Sequence, residues 1–446
     1  MRLSKFSRRV LVWGNLIGIP LIWGSLIGIP LILVLIVAIS WDICRYQVSR
    51  ELAALRAEGL PTNAAELNHY LSIPAGEPDA TEAWLKAIEA VNALTESKAA
   101  GGLPIVGTGI DSIPPAGEDW DQQAAAEAFL KQAEPALEAI RIAAATPGEV
   151  RLLSDLHDAV LNDVIGIRNL SRLILFAAQV CGRQELFDGA FENISHALML
   201  SMEINHKTFF WVQLIRIVVF SQASEAIASL LPAARWEETK LIQLQQQLGA
   251  NDFHRDMQHA LITERASSLD IIRKSLWEPL RVFNERKTLR LFHEAIGAFD
   301  FDWPLAIKRL ADLNSRVEVE RHRNSMWNWE HLALTTMGTW KWTGEAGIRV
   351  TAKQRCLIVA LAARRGQLQG KDLPENVNAI PDTLFASEEQ ARTCRVDPYS
   401  GDPLLIRQQD GEWIIYSVGS NLKDDGGTVE TNESGEIPDI GYAFRW

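Results

Sequence analysis

The longest apolar stretch of the chain runs from Val10 to Trp41 and contains no charged side chain. Such a run exceeds the ~20 residues a helix needs to cross ~30 Å of hydrocarbon, and tilt or kinks absorb the excess. It predicts a single transmembrane helix over residues 10–41 behind a short tail, residues 1–9. Downstream the period changes. Apolar residues recur at three- and four-residue spacing, as at Leu156, Val160, Val164, Ile167 and Leu170, which is the signature of amphipathic helices. Helices are expected over 120–145, 150–182, 184–206, 208–231, 236–249, 253–278, 285–298 and 304–335, punctuated by Gly182, Pro232, Gly249 and Pro304. A juxtamembrane helical region, 42–98, precedes a Gly/Pro-rich loop, 99–118, and the helical body follows over 119–343. Near Gly344 the pattern changes again. A helix over 346–365 leads to two strand-like runs, 404–408 and 412–418, around the turn Asp410-Gly411. The fold class read from this pattern is mainly α. It comprises an N-terminal transmembrane helix, an α-helical bundle or short α-solenoid, and a small C-terminal α+β domain with an antiparallel sheet, 344–446.

The apolar segment carries a tandem duplication, WGNLIGIP from Trp13 and WGSLIGIP from Trp23. Each copy holds a small-xxx-small pair, Gly14 with Gly18 and Gly24 with Gly28, of the kind that lets membrane helices approach closely. The ten-residue period turns one pair about 80° from the other, and Pro20 and Pro30 kink the helix between them. The pairs read equally as a homodimer contact and as duplicated lipid-facing sequence. Ala38-Ile39-Ser40 has the small residues of a signal-peptide cleavage site, but the apolar run is about twice a signal core, so a retained anchor is expected. Arg2, Lys5, Arg8 and Arg9 before the span outnumber Arg45, Arg50 and Arg56 after it, which points to a cytoplasmic N-terminus and an extracytoplasmic body. The expected setting is the cell inner membrane, with the lipid bilayer as first partner.

Composition narrows the function. With 47% apolar and 22% charged residues the chain is globular, and 446 residues are too many for one ordinary core. A formal charge of −12 without a concentrated basic face excludes a nucleic-acid partner. Cys44, Cys181, Cys356 and Cys394 lie too far apart for a zinc knuckle or redox motif. In an oxidising compartment Cys356 and Cys394 are a possible pair; unpaired, partly buried thiols are the alternative.

Catalytic signatures are wanting. There is no Gly-x-Ser-x-Gly elbow and no His-Glu-x-x-His, and Gly107-Thr108-Gly109 lacks the Gly-Lys-Ser/Thr of a phosphate cradle. Glu192, His196, Met199, Glu203 and His206 fall on one helical stripe. With Glu203-x-x-His206 they suggest half of a bundle metal site, for which Asp256-x-x-His259 is the only similar pair in the helical body, so the set is incomplete. The simpler reading is a solvated polar face opposite a core face of Ala190, Ile194, Ala197 and Leu198. The stretch Ile174 to Met202 resembles a single tetratricopeptide-type unit, with Ala178, Ala190, Ile194 and Ala197 at its small or apolar positions. Trp327, Trp329, Trp340 and Trp342 form either an exposed patch or the packing of the last bundle helix.

The C-terminal segment reads Val396-Asp397-Pro398-Tyr399-Ser400-Gly401-Asp402-Pro403, then Ser417-Val418-Gly419, then Asp424-Asp425-Gly426-Gly427, and near its end Asp439-Ile440-Gly441. It resembles the globular domain of the major pseudopilins of type II secretion systems, through Asp397, Pro398, Gly401, Pro403, Ser417, Gly419, Gly426, Gly427, Asp439 and Ile440. The ending also resembles that of large bacterial membrane proteins with helical bodies. The resemblance covers about 100 residues and implies a small sheet with a calcium loop, whose ligands here fall on Asn421, Asp424, Asp425 and Asp439. Asn421 stands where that family has Asp, and the stretch from Thr428 to Pro438 is inserted before Asp439. A pseudopilin's processing glycine and helix glutamate are missing from the N-terminal segment. The reading that follows is a membrane-anchored, extracytoplasmic, non-enzymatic binding or scaffold protein. The alternatives are a component of a type II secretion or pilus-like assembly, and an envelope metalloenzyme.

Overall fold

The computed structural model describes residues 31–446 apart from 33, 97–99, 110–112, 115–116, 152–158, 205, 324–332, 334–339 and 430–437. Its helices are α1 (34–57), α2 (Ala64–Tyr70), α3 (Thr81–Glu96), α4 (Gln123–Ala144), α5 (Ala159–Arg183), α6 (Phe187–Glu203), α7 (Phe210–Leu230), α8 (Glu238–Gly249), α9 (Phe253–Ser275), α10 (Glu278–Ala298), α11 (Trp303–Arg323), α12 (Trp340–Leu368) and the short α13 (Glu388–Cys394). Three antiparallel strands, β1 (Leu405–Gln409), β2 (Glu412–Ser417) and β3 (Ile440–Phe444), follow in the spatial order β1-β2-β3. The chain is mainly helical, with a small C-terminal sheet, as the periodicity predicts. The Gly14, Gly18, Gly24 and Gly28 pairs lie outside the described residues, as do Trp327 and Trp329.

The beginning of α1 differs from every later helix. Leu31, just before it, and Val34, Leu35, Ile36, Val37, Ile39 and Ile43 within it are all exposed, and their spacing spreads them around most of the helix circumference. From Cys44 onward the same helix is one-sided. Cys44, Val48 and Leu52 are buried, and the last two pack with Leu269 of α9 and Leu289 of α10. Among the described residues one helix, α7, is long and apolar enough to cross a membrane by length and composition. It is wrapped instead by α5, α6, α9 and α12, and 56% of its most apolar stretch is buried in the body.

α12 is the second central helix. Cys356 to Ala363 are buried without a break, because α7, α8, α9, α11 and the sheet surround it. One apolar core therefore runs from Ala80 to Phe444, and the expected boundary at 343/344 falls within α12. Cys356 and Cys394 are free thiols, each buried, so they form no disulfide here. Burial pushes Cys394 up to about 12 and Cys356 in the same direction, which keeps both protonated. Trp340 is buried edge-on to Phe292 at 5.2 Å, whereas Trp342 is exposed.

Several expected boundaries move for identifiable reasons. α10 begins at Glu278 rather than 285, since Pro279 sits in the first turn, where its missing N–H costs nothing. Val150 is not helical; it bridges Ile204, and its amide donates to the Glu203 carbonyl at 2.7 Å. The Gly/Pro-rich loop is pinned rather than free-running. Arg172 donates to the carbonyls of Ile105 and Gly107, and Arg183 to those of Pro114 and Glu118, so two guanidinium groups of α5 satisfy loop carbonyls.

Candidate functional site

α6 ends at Glu203, so the Glu203-x-x-His206 spacing does not lie on one helix. Glu192 and His196 stay on α6, Glu192 exposed, while Ala190, Ile194, Ala197 and Leu198 are buried opposite. Glu203 turns toward α3 and accepts the Trp84 indole N–H at 2.6 Å. His206 lies in the bend before α7 and turns the other way, toward α9, where its Nδ1 meets Asp256 Oδ1 at 3.0 Å. His206 and Asp256 are thus brought together, and Glu203 is not part of the group. Among the described residues no three His, Cys, Asp or Glu side chains converge as metal ligands do.

The partner that completes the His206–Asp256 pair is Arg216. Its side chain is wholly buried in α7, and Nη1 donates to Asp256 Oδ2 at 2.9 Å and to Gln213 Oε1 at 2.6 Å. Nε donates to the Ser201 carbonyl at 2.8 Å, capping the end of α6, and Nη2 to Asn251 Oδ1 at 3.3 Å. Gln213 Nε2 in turn donates to the His206 carbonyl at 2.8 Å. Four helices meet at this guanidinium: α6, α7 and α9 directly, and α8 through Asn251, just past its end. Burial alone would raise the Asp256 carboxyl; Arg216 and then His206 outweigh it and hold it below the usual carboxylate range. The sequence signal that points here is a single cation in an otherwise apolar run, FWVQLIRIVVF. A guanidinium in such a helix requires a buried anion.

Among the described residues no cation acts on Glu203. Burial lifts its carboxyl to about 7, with the Trp84 hydrogen bond acting the other way. Its folded pKa thus lies above the ordinary 4.5, so its contribution to stability is complete below pH 4.5 and is lost as pH rises through about 7. Glu203→Gln keeps an acceptor for Trp84 and removes the charge. With partial exposure discounted, it is expected to add about 1–2 kcal/mol at pH 8 and nothing at pH 4.5. Denaturant midpoints at the two pH values check this; an equal shift at both contradicts it.

The C-terminal residues form a second polar cluster, built around two buried aspartates. Asp397 accepts Ser417 Oγ at 2.7 Å, the Tyr399 amide at 2.8 Å and the Val418 amide at 2.9 Å, tying the 397–403 turn to the end of β2. Asp439 accepts the amides of Gly427 at 2.8 Å, Thr428 at 3.2 Å and Asp425 at 3.4 Å. Burial raises the Asp439 carboxyl, and these amides pull it back. Asp424 accepts Tyr416 Oη at 3.0 Å, and Asn421 donates to Asp425 at 2.6 Å. Asn421, Asp424, Asp425 and Asp439 therefore gather around one loop. In the described geometry their oxygens are engaged chiefly with the loop's own donors, and an ion would have to share the lone pairs that remain.

No protein family, characterised protein or solved structure matches this chain.

Proposed function

We infer that the protein is a membrane-anchored scaffold or binding protein, held by its N-terminal apolar helix with the helical body on the extracytoplasmic side. One observation carries this reading: the first described turns of α1 expose apolar side chains almost all round and continue a charge-free run from Val10. In water that collar has no favourable partner, whereas in hydrocarbon each side chain is transferred favourably. Within α1 the exposed apolar turns from Val34 and the packed stripe Cys44, Val48 and Leu52 belong to one helix, 34–57. The scaffold assignment is supported by how the polar clusters are used. Arg216, Asp256, Asp397 and Asp439 all satisfy backbone or side-chain groups of the fold itself.

Cell fractionation tests the anchor. The full chain is expected to sediment with membranes and resist alkaline carbonate extraction, while a chain starting at residue 42 is expected in the soluble fraction. A phosphatase fused after Trp446 is expected to be active only outside the cytoplasm. Release of the full chain by carbonate overturns the anchor, and an inactive fusion overturns the orientation.

A further inference from the structure

The packing of α1 fixes which end of the body lies beside its exposed apolar turns. Arg286 Nη1 of α10 approaches Cys44 Sγ at 3.5 Å, an offset of 242 positions. Two turns further along both helices, at the same offset, Glu51 lies within electrostatic reach of His293. α10 therefore runs parallel to α1, and this register carried back sets Glu278, the first residue of α10, level with Ile36. α9 runs the other way. Leu269 packs with Val48 and Leu52, and Arg265, one turn earlier, lies within electrostatic reach of Glu51 and Glu58. The end of α9 at Ser275 thus falls level with Ile43 to within about a turn. The turn joining α9 to α10 stands at the height where the charge-free run of α1 ends.

That turn is apolar and exposed. It reads Leu276-Trp277-Glu278-Pro279-Leu280, with Trp277 67% exposed, and Ile271, one turn before the end of α9, is exposed as well. A tryptophan pairs an apolar ring with one N–H donor, and its favoured place beside a membrane is the headgroup level. The surrounding charge suits the same place. Residues 270–287 carry five basic and three acidic side chains, in a chain of formal charge −12. Lys274 pairs with Asp270 at 2.6 Å and Arg281 with Glu278 at 3.7 Å, which leaves the hairpin net positive. α11 brings a second basic end to this side. It is antiparallel to α10, with Arg316 meeting Glu294 at 2.5 Å and Glu320 meeting Lys287, and it closes on Arg321-His322-Arg323. Positive charge around an apolar tip complements anionic headgroups above hydrocarbon.

We propose that the α9–α10 turn is a second membrane contact, with Trp277 seated among the headgroups of the bilayer that holds the anchor and the net positive hairpin favouring anionic lipid. The contact rests on the anchor reading and holds for either orientation of the chain. An interfacial tryptophan beside the span sets the tilt and rotation of the body over the membrane, which a lone helix leaves free.

The test uses the full chain carrying Cys181→Ser, since the other three cysteines are buried. A polarity-sensitive fluorophore is attached in turn to Val34→Cys in α1, Ser275→Cys at the end of α9 and Lys131→Cys on α4, all exposed positions. The protein is placed in phosphatidylcholine discs, with and without phosphatidylglycerol, that contain a lipid bearing a nitroxide just below its headgroup. The nitroxide is expected to quench most emission from the Val34 and Ser275 positions and none from Lys131. Phosphatidylglycerol is expected to strengthen quenching at Ser275 alone, and Trp277→Ser to remove it there alone. Quenching at Val34 without quenching at Ser275 overturns the contact and leaves the anchor standing. No quenching at Val34 overturns the anchor, and the contact with it. A fluorophore at Ser275 that is shielded from water yet untouched by the nitroxide would show a second copy covering the turn, and that also overturns the proposal.

Discussion

Asp256→Ala is expected to cost about 3–5 kcal/mol of stability, the range for removing one partner of a buried ion pair. The cost arises from what remains. Arg216 is wholly buried and always charged, and without Asp256 its remaining partners are neutral: a backbone carbonyl, Gln213 and Asn251. His206 loses its fixed orientation in the same step. Guanidinium unfolding of the full chain in detergent, followed by tryptophan fluorescence, measures the loss. The double variant Asp256→Leu with Arg216→Met is expected to recover most of it, because an apolar pair needs no charge compensation. A loss below about 1 kcal/mol in the single variant would show that water already shares the network.

That network shows where sequence reading stops. The helices of the body follow from three- and four-residue periodicity, a local property, and the expected and observed spans agree to within a few residues at α4, α7, α8 and α9. Of the residues singled out in sequence, His206 and Asp256 do meet, at 3.0 Å, yet the stripe containing His206 assumes one uninterrupted helix. Ile204 ends that helix in extended geometry, with ψ 123, and sends His206 to α9 rather than α3. Arg216 is readable as an anomaly in an apolar run. Its partner is not, since Asp256 lies 40 positions away in sequence and only packing places it there. The apolar run from Val10 to Trp41 is legible by composition; of it, the stretch from residue 31 lies among the described residues, and there its apolar side chains are exposed.

The C-terminal sheet is legible for the opposite reason: its signal is backbone geometry written in short motifs. Asp410 and Gly411 both adopt positive φ, 53° and 79°, as the two-residue hairpin between β1 and β2 requires. β3 escapes periodicity because its inner and outer neighbours are both covered. α12 packs on the sheet, and Gly427 of the acidic loop lies over Ile414 and Tyr416. The C-terminal segment therefore shares a core with the helical body, although its motifs read as a separate unit.

Gly441→Ala is accordingly expected to cost at least about 3 kcal/mol, more than an ordinary overpacking change, because the obstacle is backbone. Gly441 pairs with Tyr416 across the β2–β3 ladder. A Cβ at that position falls 2.0 Å from the Ile415 carbonyl oxygen and 2.7 Å from Tyr416 Cα. No rotamer change relieves such a contact; β3 must part from β2. Asp439 and Ile440 then lose their places, and the Gly427 and Thr428 amides lose the carboxylate that holds the loop. The disturbance continues into α12, since the Cys356 thiol lies 3.7 Å from the Ile440 carbonyl. Thiol labelling of Cys356 under native conditions reads this directly. The buried thiol is expected to be inert in the parent and reactive in Gly441→Ala, while Gly102→Ala, where an added Cβ meets nothing within 4 Å, changes neither reactivity nor stability. Equal, slow labelling in parent and variant would show that the strand accommodates the methyl group by sliding, with the core intact.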